Sequence, residues 1–180
     1  MVGRWGDRPL FEVIHISRTV DELGLRASLP CAEGYLLLLH LSDGPRCALW
    51  RGGRLWSVQA CQKDDVIIVD LRDHPRICFD GVLDVLAIYI AAALLDAVAE
   101  QSGRAGRQRL ACWPGTADPL ISRLGAALLP LFQQDQRAGT GFLEHVAMAL
   151  GAHVVWRFGS SESRPAERTS LHDSLGAAAR

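Results

Sequence analysis

From Gly34 to Tyr89 the chain is a series of apolar segments of strand length, GYLLLLHLSDG, CALWRGGRLWSV, DDVIIVDLRDHPRICFD and LDVLAIYI, separated by glycine, proline and aspartate. This punctuation is the pattern of an antiparallel sheet folded on itself. Tyr35 to Leu41 is nearly all leucine, which suits a strand buried on both faces or a short helix. Gly34 before it and Ser42-Asp43-Gly44-Pro45 after it set a length that favours strand. Cys47 to Arg51 and Leu55 to Ala60 flank Gly52-Gly53, a pair that tolerates the positive φ of a tight hairpin turn. Val66 to Leu71 is rich in β-branched residues, Asp73-His74-Pro75 makes a turn, and Ile77 to Phe79 and Val82 to Ile90 complete the sheet. Upstream, FEVIHIS predicts an edge strand with Phe11, Val13 and His15 on one face and Glu12, Ile14 and Ile16 on the other.

The apolar period then lengthens from two to about 3.6. Ala91 to Gln101 predicts a helix closed by Gly103, and Arg104 to Pro114 a polar connector. Asp118-Pro119 is a helix start: aspartate caps the free N–H groups, and proline sits where its missing N–H costs nothing. Leu120, Leu124, Leu128 and Leu131 recur on one face of that helix, and Pro130 should end or kink it. Thr140 is placed to cap a final helix whose stripe is Leu143, Val146, Ala147, Leu150 and Val154, with His145, Ala149, Ala152 and Trp156 away from its centre. From Gly159 the chain is polar and small without a core-forming period, so a disordered tail is expected.

Length and composition narrow the classes. The chain has 180 residues, 49% hydrophobic and 22% charged, enough for one domain with a real core. With 19 basic and 20 acidic residues and a net charge of -1, it carries no field suited to a polyanion. Cys31, Cys47, Cys61, Cys78 and Cys112 are scattered without a CxxC pair, which reads as reduced structural thiols. The N-terminus is polar and interrupted, unlike a secretory leader. The longest apolar run, from Val85, is broken by Asp96 and too short for a membrane span, so a cytoplasmic location is expected.

The candidate chemistry is sparse. No HxH pair occurs, and His40 stands alone in its strand, a core or pocket histidine before a metal ligand. There is no GxSxG elbow, P-loop or GxGxxG. Asp64, Asp65, Asp70, Asp73, Asp80 and Asp84 cluster at strand ends, where turns and solvation account for them; Asp70 with Arg72 is also spaced for an ordering ion pair. Trp50, Trp56 and Tyr89 lie in or beside strands. They are either core or the aromatic walls of a small-molecule pocket that His40 would serve. The leucine stripe Leu120, Leu124, Leu128, Leu131 suits capping of the sheet or a dimer interface.

HLSDGPRCALWRGGR, VDLRDHPR and LDVLAIYI, with the later DPLISRLGAALLPLF and FLEHVAMALGAHVVWRFG, resemble the N-terminal sensor domain of AraC-type transcriptional regulators. The resemblance spans about Gly34 to Phe158. It implies an α+β fold, a cupin-like antiparallel β-barrel of jelly-roll type followed by a small helical dimerisation segment. The barrel would bind a small-molecule effector, and the helices would form a homodimer or a mixed dimer with a full-length relative. The chain departs from the subgroup at Ile88-Tyr89-Ile90-Ala91-Ala92, where a Phe-Tyr-Leu-Pro-Arg type run is usual, and nothing after Gly159 resembles paired helix-turn-helix motifs. The expected organisation is a barrel over residues 1–90, helices over 91–158 and a tail over 159–180. It describes a regulator's sensor truncated before its DNA-binding half. No direct DNA binding, cofactor, metal or enzymatic activity is expected. The rival reading is a cupin-type metal-dependent enzyme.

Overall fold

The computed structural model describes residues 2–5, 8–19, 25–104, 108–133 and 140–161. Among the described residues nine strands precede the first α-helix: β1 Val2–Trp5, β2 Arg8–Thr19, β3 Leu25–Ser28, β4 Gly34–His40, β5 Arg46–Arg51, β6 Arg54–Ala60, β7 Asp65–Asp70, β8 Arg76–Asp80 and β9 Val82–Ala91. Helix α1 is Ala92–Gln101, strands β10 and β11 are Gln108–Leu110 and Trp113–Ala117, and α2 is Pro119–Leu128. α3 (Pro130–Gln133), α4 (Thr140–Phe158) and β12 (Gly159–Ser161) follow.

A six-stranded sheet in the order β1-β2-β9-β4-β7-β11 faces a four-stranded sheet in the order β3-β8-β5-β6. The pairings within both sheets are antiparallel. The fold is α+β, a cupin-like barrel with helices packed on its larger sheet.

Strand alternation sorts that larger sheet into two cores. Tyr35, Leu37 and Leu39 of β4 join Ile88 and Ile90 of β9 against α1, α2 and α4. Leu36 and Leu38, with Val85 and Ala87, face the smaller sheet across the barrel interior. The leucine run is therefore a strand buried on both faces, because helices cover one side and a second sheet the other. Gly125 lets α2 lie close on the sheet: a Cβ there would collide with Leu39. On one flank the Gln59 side chain of β6 hydrogen-bonds the Pro114 carbonyl of β11, joining the edges of the two sheets.

The hairpin at Gly52-Gly53 has both φ values positive, 55° and 77°. Asp118 caps α2 through Oδ1, accepting from Leu120 N and Ile121 N at 3.0 Å each. α2 stops at Leu128, two residues before Pro130.

Among the described residues, FEVIHIS is an edge strand from Val13 onward, because β1 pairs outside it only at Phe11 and Glu12. Two expectations need correction. The segment after β9 is not helix alone: β11 adds a strand beside β7, and its Trp-Pro-Gly sequence is tolerated because it lies at the sheet edge. Gly159–Ser161, assigned to the tail, pairs with β10. The rest of the expected tail, 162–180, lies outside the described residues.

Candidate functional site

Between the two sheets lies a solvent-connected cavity of about 830 Å³. One wall is the inward face of β2 and β9: Glu12, Ile14 and Ile16 opposite Leu83, Val85, Ala87 and Tyr89. Leu36 and Leu38 of β4 continue that wall, and Ala27, Ile77 and Phe79 of β3 and β8 face it. The segment from Leu29 to Glu33 borders the remaining side. Among the lining residues only Glu12, Cys31, Glu33 and Tyr89 carry polar side-chain atoms. The cavity falls within the size range of small-molecule sites, and its apolar lining with few polar groups is what such sites share.

Those polar groups are unevenly placed. Glu12 is directly opposite Tyr89, and Tyr89 is opposite Leu36, so the three form one row across the sheet. The Tyr89 ring leans from this row over Gly34: a Cβ there would lie 2.8 Å from its Cε2 and 3.0 Å from its hydroxyl. The lining at the other end of β9, Leu83, Val85 and Phe79, is apolar.

Of the four residues expected to form a pocket, the structure brings only Tyr89 to this cavity. His40 is completely buried one side chain behind its wall, its ring 6.0 Å from that of Phe79 in a T-shaped contact. Neither His40 ring nitrogen has a hydrogen-bond partner of ordinary geometry, although the Cys61 thiol is close enough to feel the ring. A hydrogen bond with Cys47, aided by His40 and opposed by burial, holds Cys61 down to about 6, while Cys47 is pushed up by that same bond and by burial. Trp50 is on the outer face of the smaller sheet, 6.0 Å above which the Arg76 guanidinium stacks. Trp56 is 39% exposed on β6, an edge strand of that sheet. Trp50 faces away from the cavity because the inward positions of β5 are Cys47 and Leu49; their β6 partners are Gln59 and Ser57, which alternate with the exposed Trp56 and Val58.

Apart from Tyr89, none of the cavity residues was singled out in the sequence, and those of β2 and of Ala27 to Glu33 were the least expected. Their one signal was the apolar pair Ile14 and Ile16 opposite an already apolar Phe11–Val13 face. Among the described residues, no group of three or more His, Cys, Asp or Glu side chains is placed to hold a metal ion.

The leucine stripe packs mostly onto the sheet, the capping alternative of its two readings. Leu128 is completely buried in the helix–sheet core, and Leu124 and Leu131 pack against that core; Leu120 is 43% exposed. An amphipathic helix beside an apolar sheet buries its stripe there first. The exposed apolar face belongs to α4, where Phe142 (43% exposed) and Trp156 (70%) flank exposed Ala149 and Ala152. Among the described residues, no helix is long and apolar enough to cross a membrane.

No protein-family profile matches the sequence, and no curated protein matches it. Solved structures do. Two crystal structures of ToxT from Vibrio cholerae superpose with TM-scores of 0.53 and 0.51 at 10% and 9% identity, covering 83% and 82% of this chain. This chain spans 57% of each of those ToxT chains. The AraC-like transcriptional activator CuxR aligns at a TM-score of 0.49 and 10% identity, over 87% of this chain and 65% of its own. At these identities the likeness is one of fold, and it agrees with the antiparallel barrel followed by helices that the sequence resemblance implied.

Proposed function

We propose that this chain is the effector-binding and dimerising part of an AraC-type regulator, acting by binding and not by catalysis. The observation that carries the reading is the apolar cavity of about 830 Å³ between the sheets, in a fold shared with ToxT. A small apolar effector would enter it and bridge β2 and β9 to the β3–β8 wall.

The test is occlusion. Ala87 is a small residue on the cavity wall, so Ala87→Phe fills open space instead of overpacking a closed core. The neutral fluorophore N-phenyl-1-naphthylamine is expected to brighten on the wild-type protein and to lose at least about tenfold in affinity, roughly 1.4 kcal/mol, on a normally folded Ala87→Phe variant. Absence of any brightening on the folded wild type would remove the effector reading.

Dimerisation fits α4 better than the leucine stripe. Phe142, His145, Ala149, Ala152 and Trp156 are spaced three and four apart and are all exposed. Two such helices packed antiparallel about a two-fold through Ala149 would set Phe142 of one copy against Trp156 of the other. Small residues at the centre would let the backbones approach.

A further inference from the structure

We infer that the effector of this cavity is an amphiphile with a cationic head, such as a lipophilic primary amine; this rests on the cavity being an effector site. Two lining carboxylates, Glu12 and Glu33, lie toward the end of the cavity where β9 reaches Ala91, where the Tyr89 ring rests against Gly34. No arginine, lysine or histidine is among the lining residues. Among the described residues, neither carboxylate is in an ion pair or hydrogen bond through its side chain.

Arg72 feels the charge of Glu33, but Arg72 is already committed. Its Nε and Nη2 donate to the two Asp70 oxygens at 2.8 and 2.6 Å, and Nη2 also donates to the Tyr35 hydroxyl. The Arg72–Asp70 pair is neutral as a unit, so among the described residues this end of the cavity keeps two net negative charges from Glu12 and Glu33. The other end, Leu83, Val85 and Phe79, offers only hydrocarbon. From Leu83 to Ala91 the strand runs about 26 Å at about 3.3 Å per residue, long enough to separate a head from an apolar body. A carboxylate head would meet like charges beside low-dielectric walls, whereas an ammonium would meet complementary ones.

The experiment displaces N-phenyl-1-naphthylamine at pH 7.4 with decan-1-amine, decan-1-ol and decanoate, each below its micelle-forming concentration, on the whole chain. Wild type is expected to bind the amine at least roughly tenfold more tightly than the alcohol, and the alcohol more tightly than decanoate. Glu12→Gln with Glu33→Gln, checked for an unchanged melting transition, should bring amine and alcohol within about threefold. Equal affinities for the three on wild type, a preference for decanoate, or an amine preference that survives in the double variant would each overturn the charge assignment and leave the cavity as a neutral effector site. Failure of all three to displace the probe would overturn the effector reading itself.

Discussion

Asp118 performs two tasks with its two oxygens. Oδ1 caps α2, and Oδ2 accepts from His153 Nε2 at 2.8 Å and Arg157 Nε at 3.0 Å, both on α4. One residue thus fixes where α2 begins and ties it to α4, with its own side chain only 1% exposed. Asp118→Ala removes the cap, worth about 1 kcal/mol, and the charged hydrogen bonds, so a loss of roughly 2–3 kcal/mol in urea unfolding is expected. A loss no larger than a lone cap would mean that the α4 ties contribute nothing. The cap was legible, since Asp-Pro before an apolar helix has a local mechanism. The ties were not, because His153 and Arg157 are 35 and 39 positions away, and only the packing of α4 across α2 brings them in. His40 teaches the same limit: its burial followed from its strand, but its place behind Phe79 and beside Cys61 depended on the other sheet.

Helix α4 is apolar on two faces. Leu143, Val146, Ala147, Leu150 and Val154 are buried against the sheet and α1, as their spacing predicts. The opposite side should be polar in a helix that merely covers a sheet. Instead it carries Phe142, Ala149, Ala152 and Trp156, with His145 among them. A helix exposing this much apolar surface marks an interaction site. In the antiparallel pairing proposed above, Ala149 meets its own copy on the two-fold, so a charge there is opposed by itself. Ala149→Glu is expected to convert the dimer to monomer by light scattering after gel filtration. The melting temperature extrapolated to low concentration should be unchanged, because Ala149 touches no core. Leu128→Ala, by contrast, should cost about 2–5 kcal/mol of folding stability through the cavity it leaves in the core. A wild type that is monomeric at every concentration sinks the pairing. The second apolar face was visible in the sequence as residues off the main stripe, but which leucine-rich surface the sheet would cover was not. α2 and α4 both offered one, and the fold buries most of each.

The molecule depends on charges at the seams between its layers. Asp70 ends β7, caps the turn at Leu71–Asp73 and holds Arg72, which reaches the Tyr35 hydroxyl; that hydroxyl also accepts from Leu110 N at 3.0 Å, joining β4 to β10. The Asp70–Arg72 pair was readable from spacing alone, whereas its reach to Tyr35 and Leu110 needed the helical layer in place. Burial works to raise the Asp70 carboxyl, but the Arg72 side-chain and backbone hydrogen bonds outweigh it and hold the group below its ordinary value. At Asp118 burial is likewise outweighed, by the His153 hydrogen bond and by the N–H of Ile121. Both folded-state values lie below the unfolded one, so each contribution to stability is fully present above the unfolded carboxylate value of about 3.9 and is lost as pH falls through the folded value. The sign follows from proton count: below about pH 4 the unfolded chain binds protons that the folded chain refuses, and acid pulls the equilibrium toward unfolding. Urea midpoints are therefore expected to hold near neutrality and drop steeply below about pH 4. Asp70→Asn and Asp118→Asn should each start lower at pH 7 and fall less on acidification, because the group that distinguishes the two states is gone. Variants whose midpoints track the wild type in parallel down to the lowest pH would show that these two seams do not set the acid limit, and that other carboxylates carry it.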